Sequence, residues 1–403
     1  MKRNARALGL VSMLALIGCA GAPDGDSSFD STQEPLVGRP LTIGIVGASG
    51  GDIESCEELH SFVVNFTSTV GPAQALPEDQ RRAFAEARWL QTQSTTSAQY
   101  HAIPNCNTRF RERGRAQAQK IAHELSGMLF GVKTKAYAGF RYLYGEGIPQ
   151  GLTLIDALEQ ARQDGVTHLF VTDQDDILFS VIMQQIGFKQ IEDYLSQHPD
   201  WHVNVVGING YASQPHFDDL LATNVVHNVK KWLGWVPAND VVVVLPCQGI
   251  SQAQEQTDPH ARQARELANR VQALLPAYEI RLAFQHWGTD PATPPNPPRS
   301  VSQPADYTVL PEVARGTRNH VLISPNLQWP VTDISVLWRQ EVRYLETIKE
   351  IDATKVVENY EAWDSSRAFA RYSARIMRDT LLFGASSTYD LTLIRKDGFQ
   401  TTR

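Results

Sequence analysis

Three kinds of reactive side chain stand where short apolar runs of this chain end. Asp173, Asp175 and Asp176 follow the run 168–172. Clustered carboxylates suit a hard divalent cation; the other reading is a solvated turn with Asp176 capping the next helix. Cys247 follows Val241-Val242-Val243-Val244-Leu245. A free thiol there is a soft ligand for a metal or haem iron; otherwise it is a small half-buried residue. Gly47-Ala48-Ser49-Gly50-Gly51 closes a third run. Glycines at that place let backbone approach a phosphate, as in an NAD(P)-binding oxidoreductase. No acidic or basic ribose reader is evident after Phe66, which ranks the nicotinamide reading third.

The elements that must position these groups alternate along the chain. Apolar, β-branched runs predict strands at 41–46, 134–140, 168–172 and 202–208, then at 241–245, 280–284, 320–324 and 355–358. Apolar residues at three- and four-residue spacing predict helices at 154–163, 177–197, 260–275, 333–351 and 365–382. Such alternation predicts parallel sheets covered on both faces. The expected fold is α/β: two doubly wound Rossmann-like lobes, 40–235 and 236–403, joined by a helix within 216–235 with a cleft between them. Ligands of these sheets bind beyond the carboxyl ends of the strands. Arg141, Tyr142, Tyr211, Cys247, Trp287 and Trp329 fall at such ends. They suit a flat apolar ligand with polar edges.

The N-terminus carries an address. Lys2, Arg3 and Arg6 precede a short apolar run, and Leu16-Ile17-Gly18-Cys19 has the form of a bacterial lipobox. A run of roughly ten apolar residues falls short of the ~20 that span a bilayer. Residues 1–18 are therefore expected to be a cleaved export signal, with Cys19 acylated and 19–39 a tether. The protein would then sit in the bacterial envelope, held to a membrane by lipid. Without Lys2, Arg3 and Arg6, the excess of acidic over basic residues rises from 7 to 10, which argues against nucleic acid as a partner. In an oxidising compartment Cys56 and Cys106 could pair, leaving Cys247 free; the sequence leaves that pairing open.

Residues 240–288 resemble the ferrochelatase family, class II tetrapyrrole metal chelatases. The apolar strand, the loop Pro246-Cys247-Gln248-Gly249, the Asp258-Pro259 before a helix and the strand end Ala283-Phe284-Gln285 follow the family order. The resemblance extends to Gly139-Phe140-Arg141-Tyr142, Gly210–Phe217, Pro325–Leu337 and Asn359–Ser365, so it covers roughly residues 40–383. The family is thought to use a histidine after the fifth strand as base for the pyrrole N–H protons, and a glutamate in an Asp-His-Ile-Glu motif. Those positions here carry Gln248 and Ser335, with Asp333 at the neighbouring histidine. An amide and a hydroxyl form hydrogen bonds but take up no proton. His286, at the family's serine, could with Asp333 rebuild a base–carboxylate pair; otherwise it is a histidine hydrogen-bonded at a strand end. The resemblance thus implies a scaffold binding a tetrapyrrole (porphyrin or haem) or a metal ion, its catalysis lost. The alternative is an active chelatase inserting Fe2+ or another divalent metal through a rearranged site.

Overall fold

Every one of the eight expected strands forms, and the runs 42–49, 204–208 and 241–247 are buried on both sheet faces. The computed structural model describes residues 41–69, 73, 76–101, 103–173, 181–250, 254–285, 302–325, 336–359, 363, 366–384 and 388–395. β1 (Thr42–Ser49), β2 (Lys133–Phe140), β3 (His168–Asp173) and β4 (Asn204–Ile208) are parallel, in the order β2-β1-β3-β4. β5 (Val241–Gln248), β6 (Glu279–Gln285), β7 (His320–Ile323) and β8 (Val356–Asn359) form a second parallel sheet. Its order, β6-β5-β7-β8, is the same as that of the first four strands. The chain therefore builds one supersecondary plan twice.

Helices α4 (Leu154–Gln163), α5 (Val181–Gln197), α6 (Phe217–Asn228), α7 (His260–Leu274), α9 (Val336–Ile351) and α10 (Arg367–Phe383) correspond to expected helices. α4 starts on a reciprocal cap: the Asp156 amide donates to Thr153 Oγ1 at 3.1 Å, and the Thr153 amide donates to Asp156 Oδ2 at 2.8 Å. α1 (Leu59–Thr69), α2 (Glu78–His101), α3 (Phe110–Met128) and α8 (Asp306–Arg315) were not expected. α2 is polar over most of its length; α8 buries Val309, Leu310, Val313 and Ala314 on one face, but Pro311 in its interior breaks the helical signal.

The lobe boundary differs from the expectation of a second lobe running to 403. After β8 the chain returns to the first sheet. α10 packs on α3, where Arg367 Nε meets Glu124 Oε1 at 2.7 Å. β9 (Leu391–Arg395) then pairs antiparallel with β4, satisfying the ladder groups that an edge strand leaves open. One core runs through both halves, from Ile43 and Phe170 through Phe217 and Val225 to Val243, Trp363 and Met377. Pro40–Arg403 forms one compact unit. Among the described residues no helix is long and apolar enough to cross a membrane.

Candidate functional site at the carboxyl ends of the strands

β5 delivers Cys247 and Gln248 to its carboxyl end by strand alternation. Cys247 is fully buried and forms no disulfide, while Gln248 is half-buried. Gln248 stands in register with the buried Gln285 of β6. The loop that follows returns through Asp258, whose Oδ1 accepts the His260 amide at 3.0 Å and so opens α7. This places the His260 ring, 2% exposed, beneath the strand end. Its Nε2 is 3.0 Å from the Gln248 carbonyl oxygen and 3.5 Å from Cys247 Sγ. A carbonyl only accepts, so Nε2 carries the hydrogen and donates to it. Burial holds this imidazole down at about 4, against a smaller upward pull from the Gln248 carbonyl. The ring is thus a neutral donor committed to backbone. His260 was not among the expected site residues; its position as first residue of the helix after the site loop is the signal that points to it.

The first sheet presents a different chemistry. The Arg141 amide donates to the Ser49 carbonyl at 2.8 Å, carrying the chain across the end of β1. Gly139, close to this strand end, lets α4 pack tightly on β2, because a Cβ there would lie 2.7 Å from the Cα of Leu154. The Arg141 side chain is 4% exposed and shares a cavity of about 10 Å³ with Ala48, Val171, Asp173, Gly187 and Phe188. That is room for about one water. Ser49 Oγ at this edge is buried with no hydrogen-bond partner among the described residues, while the Tyr211 hydroxyl lies among the hydroxyls of Thr172 and Ser373. Burial raises the Tyr211 phenol above its usual range, so it remains a donor. Buried polar groups are nearly always paired.

The remaining expected residues divide clearly. Tyr142 is buried in a core with Phe62, Phe110 and Phe140, edge-on to the partly buried Phe66 at 5.3 Å. Tyr211 packs against Phe369 at 4.7 Å and Phe217 at 6.1 Å, with only its hydroxyl at the edge. Both close the core instead of offering a face to a flat ligand. Asp173 is buried at the end of β3. His286, Trp287, Trp329, Asp333, Ser335, Asp175, Asp176 and Cys19 lie outside the described residues. Cys56 and Cys106 form the disulfide. A larger cavity, about 510 Å³, opens between α7, β6 and α8 beside Gln272, Arg281 and Glu312. It lies along the open side of edge strand β6, away from the site residues.

No family model matches the chain, and no curated protein matches it. Among solved structures it is similar to the sirohydrochlorin chelatase SirB from Bacillus subtilis with Fe3+, at 14% identity over 84% of this chain and 96% of that one, TM-score 0.49. It is similar to CbiX, described as the terminal enzyme for biosynthesis of siroheme in denitrifying bacteria, at 11% identity over 84% and 98%, TM-score 0.41. A multi-domain protein from Deinococcus radiodurans with structural similarity to chelatases is matched at 12% identity over 88% of this chain and 57% of that one, TM-score 0.41.

Proposed function

We propose that this protein is an exported, lipid-anchored binding protein on a chelatase-like scaffold. It holds a tetrapyrrole, a metal ion or both at the carboxyl ends of its two parallel sheets, without turnover. The observation that carries the reading is Gln248. It stands at the end of β5, where the resemblance to ferrochelatases expects the proton-accepting histidine. The nearest described imidazole, His260, is buried, neutral and donating to the Gln248 carbonyl. No base for pyrrole N–H protons therefore stands at this strand end among the described residues. Binding is supported by the buried Ser49 hydroxyl, which has no partner among the described residues, and by the buried Arg141 at the same sheet's carboxyl edge. The repeated strand order supports the scaffold, since each half has its own carboxyl edge.

The mature protein should shift the Soret band of a porphyrin or haem and gain thermal stability from it. Anaerobic mixing with porphyrin and Fe2+ or Co2+ should give no insertion above the protein-free rate. Absence of any spectral or thermal change with porphyrin, haem or metal removes the binding reading. Insertion above background removes the claim that catalysis is lost.

A further inference from the structure

Beside the first sheet's carboxyl edge stands a group of side chains that the proposed binding site does not use. Cys56 lies in a short helical turn after β1, His101 ends α2, and Cys106 ends the turn that follows it. Their ligand atoms, two Sγ and an imidazole nitrogen, all lie within 4.8 Å of one another. Cys106 is buried, Cys56 half-buried and His101 exposed, so the group opens to solvent on one side. The two sulfurs are joined as a disulfide.

Several contacts hold these segments together independently of that bond. Tyr100 Oη donates to Asp52 Oδ1 at 3.1 Å, tying the end of α2 to the loop after β1. Thr108 donates to the Ile53 carbonyl twice, from its amide at 3.2 Å and its hydroxyl at 2.8 Å. The Cys106 amide donates to the Ile103 carbonyl at 2.9 Å. Nearby, Arg111 is 2.9 Å from Glu58 Oε1 and 3.0 Å from Glu54 Oε2. Opening the sulfur–sulfur bond therefore leaves both thiols and the imidazole within one coordination sphere.

We propose that Cys56, Cys106 and His101 form a redox-gated site for Zn2+ or a cation of similar softness, closed as the disulfide and opened by a dithiol. The dithiol supplies two electrons and two protons. Its own sulfurs join in a cyclic disulfide while the Cys56–Cys106 bond opens to two thiols. The incoming cation displaces both thiol protons to solvent and takes two thiolates and the His101 nitrogen. Solvent completes the four-coordinate set that this ion prefers. Thiolate and imidazole select such a cation over Mg2+ or Ca2+.

The test uses the full chain, reduced anaerobically with a dithiol that is then removed, and titrated with Co2+ as a spectroscopic probe. The reduced protein should show a thiolate-to-cobalt charge-transfer band at one equivalent, displaced by Zn2+; the oxidised protein should show none. Cys56→Ser should abolish the band. His101→Ala, which keeps both sulfurs, should weaken Co2+ binding by more than the roughly 10–100-fold that loss of an outer-shell partner costs. A band that survives Cys56→Ser, equal binding before and after reduction, or no band in the reduced protein overturns the proposal. None of these readouts depends on a tetrapyrrole, so the binding function and this site stand or fall separately.

Discussion

His260 Nε2 and the Gln248 carbonyl oxygen, 3.0 Å apart, join the first residue of α7 to the last residue of β5. The bond commits a histidine to backbone at the end of β5. It also carries a cost with pH. Burial holds the His260 pKa at about 4, whereas the unfolded value is about 6.5. Between these values the unfolded chain binds the extra proton, so stability falls as pH drops from about 6.5 towards 4. The loss from this ring is on the order of 3 kcal/mol. His260→Gln keeps a donor for the carbonyl but removes the titrating ring. Urea midpoints measured from pH 7 to 4 should fall less steeply in that variant. An unchanged slope would assign the dependence elsewhere, first to His168, which burial also holds at about 4.

Ser49→Ala removes a buried hydroxyl that has no partner among the described residues. Such a change should leave stability unchanged or raise it by about 1 kcal/mol, because no hydrogen bond is lost and an unmet desolvation penalty disappears. Binding of the ligand should weaken. Destabilisation in chemical denaturation, with binding intact, would show that the hydroxyl is internally paired and not presented to a ligand.

The Cys56–Cys106 bond closes a loop of sequence separation 50. On the chain-entropy view, a loop of this size contributes roughly 4 kcal/mol through the unfolded state. A Cys56→Ser/Cys106→Ser double variant should lower the thermal midpoint, and a dithiol should lower that of the native protein but not of the variant. Sensitivity of both to the dithiol would point to some other bond.

Arg111 is 3% exposed and serves the buried Glu58 as well as Glu54. Arg111→Ala strands the Glu58 carboxylate and should cost about 3–5 kcal/mol, as loss of one partner of a buried pair does. The denaturation midpoint checks it; a change under 1 kcal/mol would mean that water reaches Glu58.

Gly139→Ala puts a methyl 2.7 Å from the backbone of Leu154, where no rotamer change can relieve it. The variant should lose about 1–3 kcal/mol and, by pushing α4 off β2, should displace Arg141. Retained stability in the same denaturation assay would show that the helix yields freely.

Much of this protein could be read along the chain. Strand runs such as Val241–Leu245 are buried on both faces, so hydrophobicity alone marks them, and their alternation with helices gave the parallel sheets. Polar α2 was hidden because packing, not periodicity, makes it helical, and α8 because Pro311 interrupts its apolar stripe. Site residues were legible by position and not by orientation. Tyr142 and Arg141 are neighbours at one strand end, yet Tyr142 turns into the aromatic core while Arg141 lines the edge cavity.

By itself the sequence determined the two-sheet α/β plan and which residues stand at the strand ends. These depend on local patterns of apolarity and on residue identity, which need no partner to be read. Tertiary structure alone decided that His260 reaches Gln248, that Cys56 pairs with Cys106 beside His101, and that β9 returns to β4. Each joins residues distant along the chain or on separate elements. Such contacts arise from how whole faces pack and from where backbone groups find partners, and no local pattern encodes them.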